Sequence, residues 1–109
     1  MAFVRIYADK DGKSQFEELE FPKPVADLQQ VAGISWRYFE PHRVVDWHTV
    51  SRRMYFITLS GGAEITVGSG EVRRVGPGDI TLVEDLTGQG HRTEMIGDGP
   101  RICIVITLE

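Results

Sequence analysis

Five glycine-bearing turns cut the second half of this chain into pieces too short for packed helices. They read S-G-G at 60–62, G-S-G at 68–70, G-P-G-D at 76–79, T-G-Q-G at 87–90 and G-D-G-P at 97–100. Glycine supplies the positive φ that such turns need, and Pro77 and Pro100 preset a bend. Between and before the turns lie β-type runs. They cover Phe3 to Tyr7, Phe16 to Phe21, Ile34 to Phe39, Val44 to Val50, Arg53 to Leu59, Ala63 to Val67, Glu71 to Val75, Asp79 to Val83, Gly90 to Ile96 and Arg101 to Leu108. The Phe16 to Phe21 run reads equally as a strand or an arm. The last run, I-C-I-V-I-T-L, is apolar on both faces and predicts a buried central strand. Only Val25 to Val31, closed by Gly33, suggests a helix, of one or two turns. About nine short strands at this spacing predict an all-β barrel or sandwich.

Length and charge narrow the function classes. A chain of 109 residues fits one domain, with 1–33 as an N-terminal arm and strands and 34–108 as the core of the barrel. A formal net charge of -4 and no long basic run argue against a nucleic-acid partner. The Arg73-Arg74 pair reads as a solvated hairpin end. No window approaches the ~20 apolar residues of a membrane span. The start, M-A-F-V-R-I-Y, lacks the pattern of a secretory leader. One cysteine, Cys103, excludes an internal disulfide and suits a reducing compartment, so a cytoplasmic protein is expected.

Two histidines, His48 and His91, bracket four of the β runs, and the turns between them fold both imidazoles back toward one small structure. The second lies in G-D-x-x-L-x-E-D-x-T-G-x-G-H, formed by Gly78-Asp79, Leu82, Glu84-Asp85, Thr87-Gly88 and Gly90-His91. With the histidine-bearing strand before it, this pattern resembles the small single-domain cupins over roughly Val44 to Leu108. The resemblance implies a double-stranded β-helix, or jelly-roll barrel, with an open-mouthed pocket for a small molecule, and a homodimer.

The resemblance also implies a metal site of three histidines and a glutamate holding iron, manganese, nickel or zinc. Aligned on Gly61, those positions fall on His48, Val50 and Met54, with His91 supplying the last. Two of four ligands are present. A catalytic metal normally takes three protein ligands and keeps one position open; Glu84, Asp85 and His42 are the donors available to complete the set. A site without metal is an equal reading, because a histidine in a partly dry pocket can carry a proton.

The remaining candidates follow from period-two parity. Leu82 and Glu84 share one face of their strand, and Thr81, Val83 and Asp85 the other, so one of the two acids points inward. Glu84 is the preferred catalytic partner of the histidines; Asp85 either contacts the ligand or closes the T-G-Q-G turn. One of Arg52 and Arg53 shares the face of His48 and would anchor a carboxylate or phosphate, unless it merely pairs with Glu84 or Asp85. Met54, Tyr55 and Trp36 are candidate lining residues. Together these features suggest an enzyme of isomerase or lyase type, acting by acid/base or metal-assisted chemistry. The alternatives are a binding module with a degenerate metal site and a structural homodimer.

Overall fold

The computed structural model describes residues 1–21 and 28–109. These residues form ten strands: β1 (Phe3–Ala8), β2 (Ser14–Glu18), β3 (Val31–Phe39), β4 (Val44–His48), β5 (Met54–Ser60), β6 (Gly62–Val67), β7 (Val72–Val75), β8 (Ile80–Glu84), β9 (His91–Ile96) and β10 (Arg101–Leu108). Six make one sheet in the order β2-β1-β8-β5-β10-β3, and four make a second in the order β4-β9-β6-β7. The architecture is thus two facing sheets in the jelly-roll manner, and neither sheet closes on itself.

The alternation read from the sequence sets which side chains face inward. Ile6, Val83, Phe39 and Phe56 come from the large sheet, and Ala63, Ile65, Val75, Met95 and Val45 from the small one. They meet between the sheets as a single apolar cluster. Burying the apolar faces of two sheets against each other is what stabilises this arrangement. β10 pairs with β5 on one side and β3 on the other. Its inward residues Arg101, Cys103 and Val105 are buried, while Ile102, Ile104 and Ile106 on its other face are half-buried. The expectation of a central strand therefore holds for its pairing and for one of its two faces.

One local expectation changes. The helix proposed for Val25 to Val31 falls partly outside the described residues. Within them, Val31 opens β3 and Gly33 pairs with Thr107 inside that strand. Neither residue ends a helix, because β10 offers β3 a full run of backbone partners. The N-terminal run is likewise no free edge. β1 pairs antiparallel with β2 and parallel with β8, so both of its hydrogen-bonding sides are occupied. Pairing of two copies through Phe3 to Tyr7 is therefore not open to this fold.

The G-P-G-D turn fixes that N-terminal pairing. One Asp79 carboxylate oxygen accepts from the Gly76 amide at 2.8 Å, and the other accepts from the Ala2 amide at 2.7 Å. One side chain closes the β7–β8 turn and holds the start of β1 alongside β8. No helix among the described residues is long and apolar enough to cross a membrane.

Candidate functional site

His48 ends β4 and His91 opens β9, and the two are direct cross-strand partners. Their rings lie 4.6 Å apart between centroids, tilted by 56°. Gly90 makes this approach feasible. It holds φ at +78°, and a Cβ there would sit 1.8 Å from the His48 carbonyl oxygen. Gly88 does the same against Gly12, where a Cβ would meet the carbonyl oxygen at 1.7 Å. Both glycines of T-G-Q-G are thus places where one backbone lies against another, leaving no room for a side chain.

The hydrogen bonds fix both imidazoles in one sense. His48 Nδ1 lies 2.8 Å from the Asp46 carbonyl oxygen, which only accepts, so Nδ1 carries the proton. His91 Nδ1 lies 2.7 Å from Asp85 Oδ2, and the same oxygen accepts from the Ser14 hydroxyl at 2.7 Å. With Asp85 ionised, His91 Nδ1 is again the donor. In the neutral form of each ring, Nε2 is then the nitrogen with a free lone pair. Both rings line one cavity between the sheets.

Asp85, not Glu84, is the inward acid. Asp85 is fully buried behind His91, and Ser14 reaches it from β2. Its side chain spans the T-G-Q-G turn by its bond to His91, and its backbone carbonyl accepts from the distant Val50 amide at 3.2 Å. Glu84 faces the outer side of the large sheet, where Arg5 donates to it at 2.5 Å and Arg53 also donates to it. Burial pushes the Glu84 carboxyl up, but the hydrogen bonds and charges of these two arginines outweigh it and hold the group below its ordinary value. Parity pointed one acid inward; the arginines of the outer face decide that it is Asp85.

The other candidates divide. Arg53 is spent on Glu84, and Arg52 is exposed. Tyr55 lies outward, edge-on to Phe3 at 6.2 Å, with its hydroxyl on Gln29 Oε1 at 3.0 Å. Trp36 is 72% exposed on the outer face of β3, since Arg37 and Phe39 occupy the inward parity. Met54 shares the inward parity of Phe56 yet lies outside the cavity lining. His42 is exposed in the β3–β4 turn at a φ of 64°. Val50, at a position the resemblance gave to a ligand, is core and lines the cavity. The donor set therefore does not fit the four-ligand metal site: among the described residues no three His, Cys, Asp or Glu side chains converge.

The cavity has a volume of about 90 Å³. A second one of about 170 Å³ is larger, but among the described residues it is lined by Lys13, Ser14, Gln15, Gly68, Ser69 and Gln89, with one ionisable side chain and no pairing of reactive groups. Chemistry rather than size selects the first. That cavity also holds two residues the motif reading passed over, Arg37 and Arg101. Parity along R-I-C-I-V-I-T-L places Arg101 on the face of Cys103 and Val105, so the signal was there.

No protein-family model matches the sequence, and no curated protein matches it. Solved structures do. A cupin 2 conserved barrel domain protein from Salinispora arenicola aligns with a TM-score of 0.57 at 20% identity, covering 70% of this chain and 61% of its own. An uncharacterized conserved protein with a double-stranded β-helix domain from Klebsiella pneumoniae gives 0.56 at 21%, covering 81% of each chain. The chain has a cupin fold. A cupin-superfamily sugar phosphate isomerase from Silicibacter pomeroyi gives 0.56 at 18%, covering 75% of this chain and 52% of its own. This chain thus spans about three fifths of the Salinispora protein and half of the Silicibacter one. At such identities the likeness establishes the cupin fold and leaves the chemistry to the site.

Proposed function

We propose that this cupin-fold protein is a small-molecule enzyme of isomerase or lyase type whose proton carrier is His91, with His48 beside it. The observation that carries the reading is the shared anchoring of the two rings. Each has Nδ1 tied to a protein acceptor, leaving Nε2 free to exchange a proton in the neutral form, and both rings line one cavity. Asp85 holds His91 in orientation and stabilises the imidazolium formed when the ring takes a proton, the role a buried carboxylate plays in a His–Asp pair. An isomerisation or elimination moves a proton between carbon and a base and needs no redox partner. The Silicibacter isomerase supports this reading by analogy of fold.

The test is hydrogen–deuterium exchange of small 2-oxo and 3-hydroxy acids in D2O, followed by NMR. Protein-catalysed exchange next to the carbonyl or carboxylate is expected, abolished by His91→Gln and unaffected by chelator. Elemental analysis of the same preparation is expected to give transition metal far below one equivalent. Near one equivalent, lost together with exchange in a His48→Ala/His91→Ala variant, would move the site to metal-assisted chemistry. Exchange no faster than in buffer alone would leave the non-catalytic binding reading, which the apolar lining by Ile6, Val50, Ile65 and Met95 favours, and catalysed exchange indifferent to His91→Gln would take the proton-carrier role from that residue.

We also propose a cytoplasmic homodimer. The buried free thiol of Cys103 supports the compartment, and the outer face of the large sheet supports the pairing. Ile34, Trp36 and Tyr38 are exposed there, beside half-buried Ile102, Ile104 and Ile106. Light scattering is expected to give twice the chain mass, and Trp36→Glu to halve it. A single-chain mass for the unaltered protein at NMR concentration rules the dimer out.

A further inference from the structure

Arg101 is a charged side chain in an unusual setting. It is 3% exposed, inside the core. No carboxylate pairs with it among the described residues. Its Nη2 donates to the Thr58 hydroxyl at 3.2 Å, and its guanidinium carbon stands 5.8 Å from the Phe39 ring centre and 5.7 Å from that of Phe56. Among the described residues its Nε has no partner, and neither has the buried hydroxyl of Thr81 on the same cavity. Burial pulls the guanidinium below its ordinary value, against a smaller opposing influence from Cys103. An arginine kept for stability would be paired; removing one from water without a counter-charge is costly.

The surroundings name the missing partner. Arg37 lines the same cavity, with its guanidinium carbon 5.6 Å from the Phe56 ring centre, so two cations stand near one ring. Among the described residues the ionisable lining is Arg37, Arg101, His48 and His91, with no Asp or Glu. A protein of net charge -4 thus encloses a cationic chamber. We infer that Arg101 is the anion anchor of this cavity and that the ligand is a small monocarboxylate with a short apolar body. Its carboxylate sits on the Arg101 fork, with Arg37 at the mouth, and its carbon chain lies along the apolar wall toward the two histidines. The planar guanidinium matches two carboxylate oxygens. A cavity of about 90 Å³ suits a handful of heavy atoms. This assignment rests on reading the cavity as the small-molecule site.

The experiment is a titration with isobutyrate, its neutral isostere isobutyramide, and methylphosphonate, observed through arginine Nε–H and backbone signals in ¹H–¹⁵N spectra. Isobutyrate is expected to shift the Arg101 Nε–H signal in the unaltered protein and to bind roughly ten- to hundredfold more tightly than the amide, the span of one or two charge-assisted hydrogen bonds. Arg101→Met is expected to melt at a higher temperature without ligand and to lose isobutyrate binding by at least about tenfold. Because the Nε–H signal belongs to the unaltered protein, the inference stays testable even if the variant does not fold. Equal binding of isobutyramide overturns the anion anchor and leaves the small-molecule site standing. Tighter binding of methylphosphonate overturns the carboxylate class. If no probe shifts any residue lining the cavity, both the anchor and the small-molecule site fall.

Discussion

Gly90→Ala is expected to destabilise the protein by about 4 kcal/mol or more, at the far end of what single substitutions do. Three backbone atoms cause it. A Cβ at this position would stand 1.8 Å from the His48 carbonyl oxygen, 2.3 Å from its carbon and 2.8 Å from the Thr49 nitrogen. None of these belongs to a flexible side chain, so β4 and β9 must part. The residue also holds φ at +78°, which costs an alanine on the order of 1 kcal/mol by itself. In a domain of about 100 residues a loss of this size lowers the melting temperature by roughly 20 °C. Gly70→Ala separates the two contributions. Gly70 has a φ of +90° but nothing within 4 Å of its added Cβ, so only the conformational cost should remain. Thermal unfolding of both variants decides the matter. If Gly90→Ala loses no more than Gly70→Ala, the close packing of the two strands is not what holds the histidines together.

Asp85→Ala is expected to lower proton transfer by about 10³-fold, and Asp85→Asn to separate how that loss arises. In the alanine variant the Ser14 hydroxyl and His91 Nδ1 both lose their acceptor in a buried place, at roughly 1–3 kcal/mol each. The ring is then free to turn or to change tautomer, which imidazole ¹⁵N shifts report directly. Asparagine can keep an oxygen where Oδ2 stands and turn its amide toward the side of Oδ1, which has no partner among the described residues. That variant should keep the Nδ1–H pattern and most of the stability, while transferring protons slowly because no carboxylate faces the imidazolium. Equal activity in all three proteins would reduce Asp85 to a structural residue.

The sequence was legible where its information is local. Period-two alternation and turn glycines mark the strands because each depends on neighbouring residues. G-D-x-x-L-x-E-D-x-T-G-x-G-H brought His91 beside His48, and two of its three glycines, Gly88 and Gly90, turned out to be backbone contacts with Gly12 and His48. What stayed hidden was relational. Parity separated Glu84 from Asp85 but did not say which lay inside, because that depends on Arg5 and Arg53 meeting Glu84 across the outer face. Trp36 and Tyr55 looked like pocket aromatics, yet Arg37 and Phe56 hold the inward parity of their strands. Arg101 was passed over for a compositional reason: arginines are rarely buried without a partner. Ser14 had no local signal at all, since it reaches Asp85 only through the pairing of β2 with β1 and of β1 with β8.

The placement of β10 bears on how this molecule comes into being. It is the strand latest in sequence, yet it sits between β5 and β3 and makes the ladder on both sides. Before it docks, β3 has no neighbour in its sheet and β5 is paired along one side only. Two open edges are then available to any other chain, the condition under which folding intermediates associate wrongly. Pairings this distant in sequence also form slowly. Arg101 arrives with the same strand, so the cationic end of the cavity is assembled in the step that closes those edges, and an incompletely folded chain has neither a finished sheet nor a place to hold an anion.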